Sequence, residues 1–244
     1  MKINVDRMDR LDRARGVIAD VKHDDMSNGV KVRETVFASY CPLNCFNCFN
    51  RVLQNRNYGY KEAKEKKQFD NHFPAMYSKE VEDYLIGGIK PDYIDGLTLL
   101  GGEPFLNTKM FVPLCNRVRA EFGDSKTIWS WTGFEWDELL KSTNLSFPIS
   151  QQQKELLNLI DVLVDGRYVD SIRKLDLIRN KGKDIHFRGS SNQRIIDVKR
   201  SLKENRVIEL TSIYNGEKTV NRNVVDFKSL TGKETPEELV SMGL

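Results

Sequence analysis

Apolar and β-branched residues collect along the chain in short runs at residues 30–39, 97–100, 127–131, 162–164 and 194–198. Apart from a long first interval the runs recur about every 30 residues, the length of one strand-helix unit. Between them apolar positions return with helical period: Val81, Tyr84, Leu85 and Ile89 share one face, and Val112, Cys115, Val118 and Phe122 another. Pro113 should lie near the start of that second helix, because proline is tolerated only in a first turn. Strands alternating with helices predict an α/β fold around a mostly parallel sheet, either open or curled into part of a barrel.

Two regions leave this rhythm. Residues 54–71 mix tyrosines with Lys61, Lys64, Lys66 and Lys67 and show little apolar period, so they read as a solvated insertion. Beyond Val198 the chain turns charged. The expected organisation is an N-terminal extension at 1–27, a catalytic domain at 28–200 with its insertion near 54–71, and a C-terminal tail at 201–244.

Composition changes the picture little. The charged share, 30%, lies above the usual quarter of a soluble chain. Basic and acidic residues almost cancel, with a net charge of +3 across 244 residues, which leaves no broad field for nucleic acid. No apolar run approaches the ~18 residues of a membrane span, and the charged start has no signal-peptide core, so no membrane partner and a cytoplasmic location are expected.

The cysteines change it more. Cys41-Pro-Leu-Asn-Cys45-Phe-Asn-Cys48 directly follows the first run, and Cys115 stands apart. Such spacing lets one loop aim three thiolates at a compact centre. Structural zinc wants four protein ligands, and neither a second cysteine pair nor a well-spaced histidine accompanies these three. Catalytic zinc would need activated-water chemistry around it. Three buried thiols without a ligand remain the bland alternative. An iron–sulfur cluster suits the triplet better, because three cysteines leave one iron open to an exogenous molecule.

The second run breaks into Gly101-Gly102-Glu103-Pro104. Glycines at a strand end let the backbone come close to a ligand. With the cysteine loop, this turn resembles the radical S-adenosylmethionine superfamily. The resemblance implies a partial, open (β/α) barrel of about five or six mostly parallel strands. It also implies a 4Fe–4S cluster on Cys41, Cys45 and Cys48, the catalytic and metal-binding residues, with S-adenosylmethionine chelated by the fourth iron. Gly101, Gly102 and Glu103 would receive the methionine amino end. Reductive cleavage would then yield a 5′-deoxyadenosyl radical.

Further motifs narrow the likeness. Residues 128–134, Val162-Leu163-Val164-Asp165-Gly166-Arg167-Tyr168 and Arg188-Gly189-Ser190-Ser191-Asn192-Gln193-Arg194 resemble, with Cys48-Phe49-Asn50, the activators of anaerobic (class III) ribonucleotide reductases. This implies an oxidoreductase that abstracts hydrogen from a glycine of the reductase's large subunit, fed by reduced flavodoxin or a similar donor. By the same likeness Ser130 and Thr132 would lie by the methionine carboxylate or ribose, and Asp165 and Arg167 near the carboxylate end. No role follows for Ser190 to Arg194. Competing readings are an activator like that of pyruvate formate-lyase, a small-molecule enzyme like 7-carboxy-7-deazaguanine synthase, and a non-catalytic zinc module.

The chain departs from these activators in two places and from the wider superfamily in a third, where the activators themselves commonly lack the aromatic residue and carry one just after, as Phe49 does. Tyr40 stands where they usually carry glycine, Asn28-Gly29-Val30 replaces a Gly-Pro-Gly turn, and Asn47 precedes the third cysteine where many superfamily members have an aromatic residue. These bear on the loop's shape, not its ligands. Cys115 reads as a buried core thiol, His186 as structural or exposed, and Trp129, Trp131 and Trp136 as core and lid packing.

Overall fold

A computed structural model describes residues 14–140, 151–182 and 185–215. The expected extension at residues 1–13 and the tail beyond 215 lie outside the described residues. Seven strands form one sheet: β1 (Val17–Asp25), β2 (Val32–Ala38), β3 (Ala75–Met76), β4 (Ile94–Gly101), β5 (Thr127–Trp131), β6 (Val162–Asp165) and β7 (Arg194–Asp197). Their spatial order is β3-β1-β2-β4-β5-β6-β7. The centre, from β2 through β4 and β5 to β6, is parallel, and the pairs at both ends are antiparallel. The sheet is open, with β3 and β7 at its edges.

All five apolar runs became strands, but β7 is antiparallel to β6. After α6 (Asp170–Arg179) the chain returns to the end it left from, so Asp165 at the end of β6 pairs with Arg194 at the start of β7. The part read as an N-terminal extension also supplies β1. Val17 and Ile18 are fully buried, and the buried Asp25 carboxylate is met by Lys22, Ser27, Asn28 and Thr35. A strand this polar is held by pairing and hydrogen bonds rather than by an apolar run.

Strand alternation separates two faces. On one, Val36, Leu97, Leu99, Ile128, Leu163 and Ile196 pack under α2 (Lys79–Ile89), α3 (Thr108–Phe122) and α5 (Gln151–Leu159). α2 buries the stripe Val81, Leu85, Ile86 and Ile89 and starts at Ser78, whose Oγ accepts from Val81 N. α3 begins earlier than expected, so Pro113 lies past its first turn; the apolar burial of Phe111, Leu114, Cys115 and Val118 outweighs the one N–H that proline lacks. On the other face Trp129, Val164 and Ile195 pack with Ile208 and Leu210. These last two bring the expected tail into the core: Leu210 N donates to Ile195 O, and Asp197 N to Ile208 O. α7 (Val198–Glu204) and α8 (Thr211–Asn215) flank that segment.

The region read as an insertion is partly structured. It holds the short α1 (Tyr60–Glu65), whose Ala63 is buried while Lys61 and Lys64 face solvent, and Phe69 packs on Phe73 and Tyr84. α4 (Trp136–Leu140) follows β5.

Candidate functional site

The cysteine loop leaves the end of β2 and is held at both ends. Tyr40 N donates to Leu53 O at 2.7 Å and Gln54 Nε2 to Cys45 O at 3.3 Å, so the helical turn Arg51–Gln54 clasps the loop from behind. Three of its residues have left-handed backbone: Asn44 (φ 51°), Asn47 (φ 52°) and Tyr40 (φ 82°). Asparagine tolerates that region well. Tyr40 does not, and its buried ring sits where a glycine would be unstrained, at a cost of about 1–3 kcal/mol. The conformation glycine would supply is therefore kept although the residue has changed.

Against this loop lies the turn that ends β4. Gly102 N donates to Ala38 O at 2.7 Å and Glu103 N to Tyr40 O at 2.9 Å. A Cβ on Gly102 would stand 2.2 Å from Tyr40 O, and one on Gly101, whose φ is 102°, would stand 2.3 Å from Ala38 N. The close approach that requires these glycines is thus to the strand bearing the cysteines, not to a ligand alone.

Glu103 is fixed from several sides. Its carboxylate accepts from Phe105 N (3.0 Å), Thr132 Oγ1 (2.8 Å) and Gly133 N (2.8 Å). Burial pushes its pKa up to about 7 against those donors and the charge of Arg167. Burial likewise raises the Cys41 thiol, helped by the Glu103 charge. Burial and the neighbouring Cys48 raise Cys45, whereas Arg167 and the backbone N–H of Tyr168 favour its thiolate.

Cys41, Cys45 and Cys48 line one cavity of about 820 Å³ together with Gly101, Gly102, Glu103, Thr132, Trp131, Tyr168 and Phe187. Thr132 touches the cavity and also holds Glu103. Ser130 does not meet it: alternation turns Ser130 to the helix-covered face and leaves Trp129 and Trp131 on the cavity side. Asp165 is engaged elsewhere, taking Arg194 Nε on Oδ1 and Trp136 N on Oδ2. That pairing comes from the antiparallel β7 and has no signature in the sequence. Arg167 is exposed but acts on both Cys45 and Glu103.

Sequence reasoning missed the aromatic contact of Phe49 with Tyr168, ring centroids 5.2 Å apart, and Arg173 over the Phe49 ring. It also missed Trp131 as a wall: Nε1 donates to Phe187 O at 2.9 Å and draws residues 185–189 along the cavity. The period-two alternation of β5 carried that signal. Cys115 is fully buried, as expected.

The donor set can be tested against possible occupants. Among the described residues no three His, Cys, Asp or Glu side chains are gathered tightly enough for a single metal ion. A zinc ion, with Zn–S of about 2.3 Å, would draw its thiolates to within about 4 Å of one another. Three partly exposed thiols around one wall of a wide cavity suit a cluster, in which each iron takes its own thiolate.

Comparison with known proteins points the same way. A family described as a 4Fe-4S single cluster domain matches residues 27–196. The anaerobic ribonucleoside-triphosphate reductase-activating proteins of Escherichia coli K12 and Salmonella typhi are each 32% identical over 173 residues, covering 69% of this chain and 90% of the relative. That of the phage T4 is 28% identical over 173 residues, covering 70% and 87%.

Proposed function

Because the chain belongs to the family of anaerobic ribonucleoside-triphosphate reductase-activating proteins, we propose that it installs a glycyl radical in the large subunit of such a reductase, as a radical S-adenosylmethionine oxidoreductase. Cys41, Cys45 and Cys48 would hold a 4Fe–4S cluster, with S-adenosylmethionine beside it. The observation that supports this best is one cavity lined both by the three cysteines and by the Gly101-Gly102-Glu103 turn. When bound, the cluster would supply the electron for reductive cleavage of the sulfonium C–S bond of S-adenosylmethionine, the chemistry by which a hydrogen would be taken from a glycine Cα of the reductase.

The part left to this chain is positional. Glu103 keeps acceptor capacity beyond its present bonds, and the methionine ammonium would offset the burial that now raises its pKa. Thr132 and Gly133 hold that carboxylate in place. Arg167 is a counter-charge for the methionine carboxylate, a role in which Asp165 serves only by bracing β6 through Arg194. Trp131 and Phe187 wall the cavity and exclude water from the reacting carbon. The parallel strands β2, β4, β5 and β6 would be the partial barrel of the radical S-adenosylmethionine type. Its open side would admit a polypeptide loop of the reductase. The functional unit would span residues 28–200 with β1 and the segment 201–210 that packs on β7 added, work in the cytoplasm, and draw electrons from reduced flavodoxin or a similar donor.

Anaerobic reconstitution with iron and sulfide tests the reading. Expected are a broad charge-transfer absorption that bleaches on reduction, cleavage of S-adenosylmethionine to 5′-deoxyadenosine, and loss of both in Cys45→Ala. A colourless protein holding one equivalent of zinc would refute it.

A further inference from the structure

The segment 188–193 takes no part in the proposed chemistry, yet it is densely cross-bonded to the chain beside the cavity. Gln193, 7% exposed, accepts on Oε1 from Gly189 N (2.7 Å) and Ser190 N (3.2 Å), and donates through Nε2 to Gly166 O (2.8 Å). Asn192 Nδ2 donates to Arg167 O at 2.8 Å. Ser190 Oγ accepts from Val169 N at 3.1 Å and donates to Asn192 Oδ1 at 2.7 Å. Ser191 N donates to Asp176 on α6. Every residue from Gly166 to Val169, Tyr168 excepted, is thereby bonded to this segment.

The stretch so held is the one that touches the cysteine loop. The backbone N–H of Tyr168 favours the Cys45 thiolate, the Asn47 side chain favours the Asp170 carboxylate, and the Tyr168 ring packs on Phe49, next to Cys48, with centroids 5.2 Å apart. Gly189 closes the stack. A Cβ there would stand 2.9 Å from the Tyr168 ring, 3.1 Å from Gln193 Oε1 and 3.4 Å from the Phe49 ring.

We propose that residues 188–193 are a brace that holds Tyr168 against the cysteine loop, so that Gln193 and Gly189 are positioning residues for the cluster ligands Cys45 and Cys48. The inference rests on the cluster reading above. An N–H dipole held beside a ligating sulfur stabilises the more negative, reduced state, so an undisturbed brace raises the potential, and loosening it lowers the potential.

Gln193→Ala, Gly189→Ala and Tyr168→Phe are compared with the wild type after anaerobic reconstitution, without reductase, by redox potentiometry, EPR of the reduced cluster, and cluster loss to an iron chelator. Tyr168→Phe keeps the amide and the ring and should match the wild type. Gln193→Ala should load a cluster of lower potential and altered g values that is lost about tenfold faster. Gly189→Ala should shift the same readings by displacing the Tyr168 ring, and carries the test if Gln193→Ala does not fold. Wild-type potential, spectrum and loss rate in the alanine variants would overturn the brace. So would a shift in Tyr168→Phe as large as theirs, since the hydroxyl would then be the lever. A wild type that takes up no cluster would sink the underlying reading instead.

Discussion

Gly102→Ala probes the joint between the two motifs. The added Cβ would stand 2.2 Å from Tyr40 O and 2.5 Å from Tyr40 C, both backbone atoms that no rotamer change can move. Relief to an ordinary carbon–oxygen contact requires the strand ends to part by about 1 Å. The Gly102–Ala38 and Glu103–Tyr40 hydrogen bonds, 2.7 and 2.9 Å long, do not survive such an opening. Overpacking of this kind costs about 1–3 kcal/mol, and two buried backbone bonds add about 1 kcal/mol each or more. The expected destabilisation of the reduced apoprotein is therefore ~3–5 kcal/mol, which at an m-value of about 2 kcal/mol/M moves the urea midpoint by roughly 2 M. Because Cys41 follows Tyr40 directly, uptake of iron and sulfide should fall with it. Gly87→Ala is the contrast: it lies in α2 with nothing within 4 Å of a Cβ, and should stabilise by about 0.5–1 kcal/mol. A Gly102→Ala protein with a wild-type midpoint and full cluster uptake would refute the argument that the glycines seat the turn on the cysteine strand.

Three further outcomes follow from the same structure. Arg33 is fully buried, bonded to Thr98, Thr127 and Leu97, set over the Trp129 ring and 3.5 Å from the buried Asp95, so Arg33→Met should cost about 3–5 kcal/mol in urea unfolding by removing the buried counter-charge of that carboxylate. Burial holds Glu34 and Glu103 up at about 7 against an ordinary 4.5, so the folded state keeps protons that the unfolded chain has released. Their contribution is complete below 4.5 and lost as pH rises through 7, so apoprotein urea midpoints should fall between about pH 4.5 and about pH 7, less steeply in Glu34→Gln. Alkylation of the native apoprotein, followed by mass spectrometry, should label the partly exposed Cys41, Cys45 and Cys48 but not Cys115, which no reagent can reach in the core; denaturant should expose the fourth.

What was legible in the sequence follows from what each signal depends on. The strands β2, β4, β5, β6 and β7 were visible because each carries a contiguous buried run. β1 was not, since its Asp-Val-Lys-His-Asp-Asp stretch is polar and owes its place to pairing with β2 and β3. The cysteine triplet and the glycine turn were found through local spacing. The bond from Thr132 to Glu103 and the pair of Asp165 with Arg194 join distant positions through the sheet, and only the observed register brings them together. Ser130 and Trp131 differ for a simpler reason: standing near a strand end does not decide which face a side chain meets, and alternation does.

The central claim is tested most directly by EPR on the reductase large subunit after anaerobic mixing with the reconstituted protein, S-adenosylmethionine and a reductant. Expected is a stable glycyl-radical signal that depends on S-adenosylmethionine and is absent with Cys45→Ala. Turnover of S-adenosylmethionine to 5′-deoxyadenosine with no radical on the reductase would contradict it.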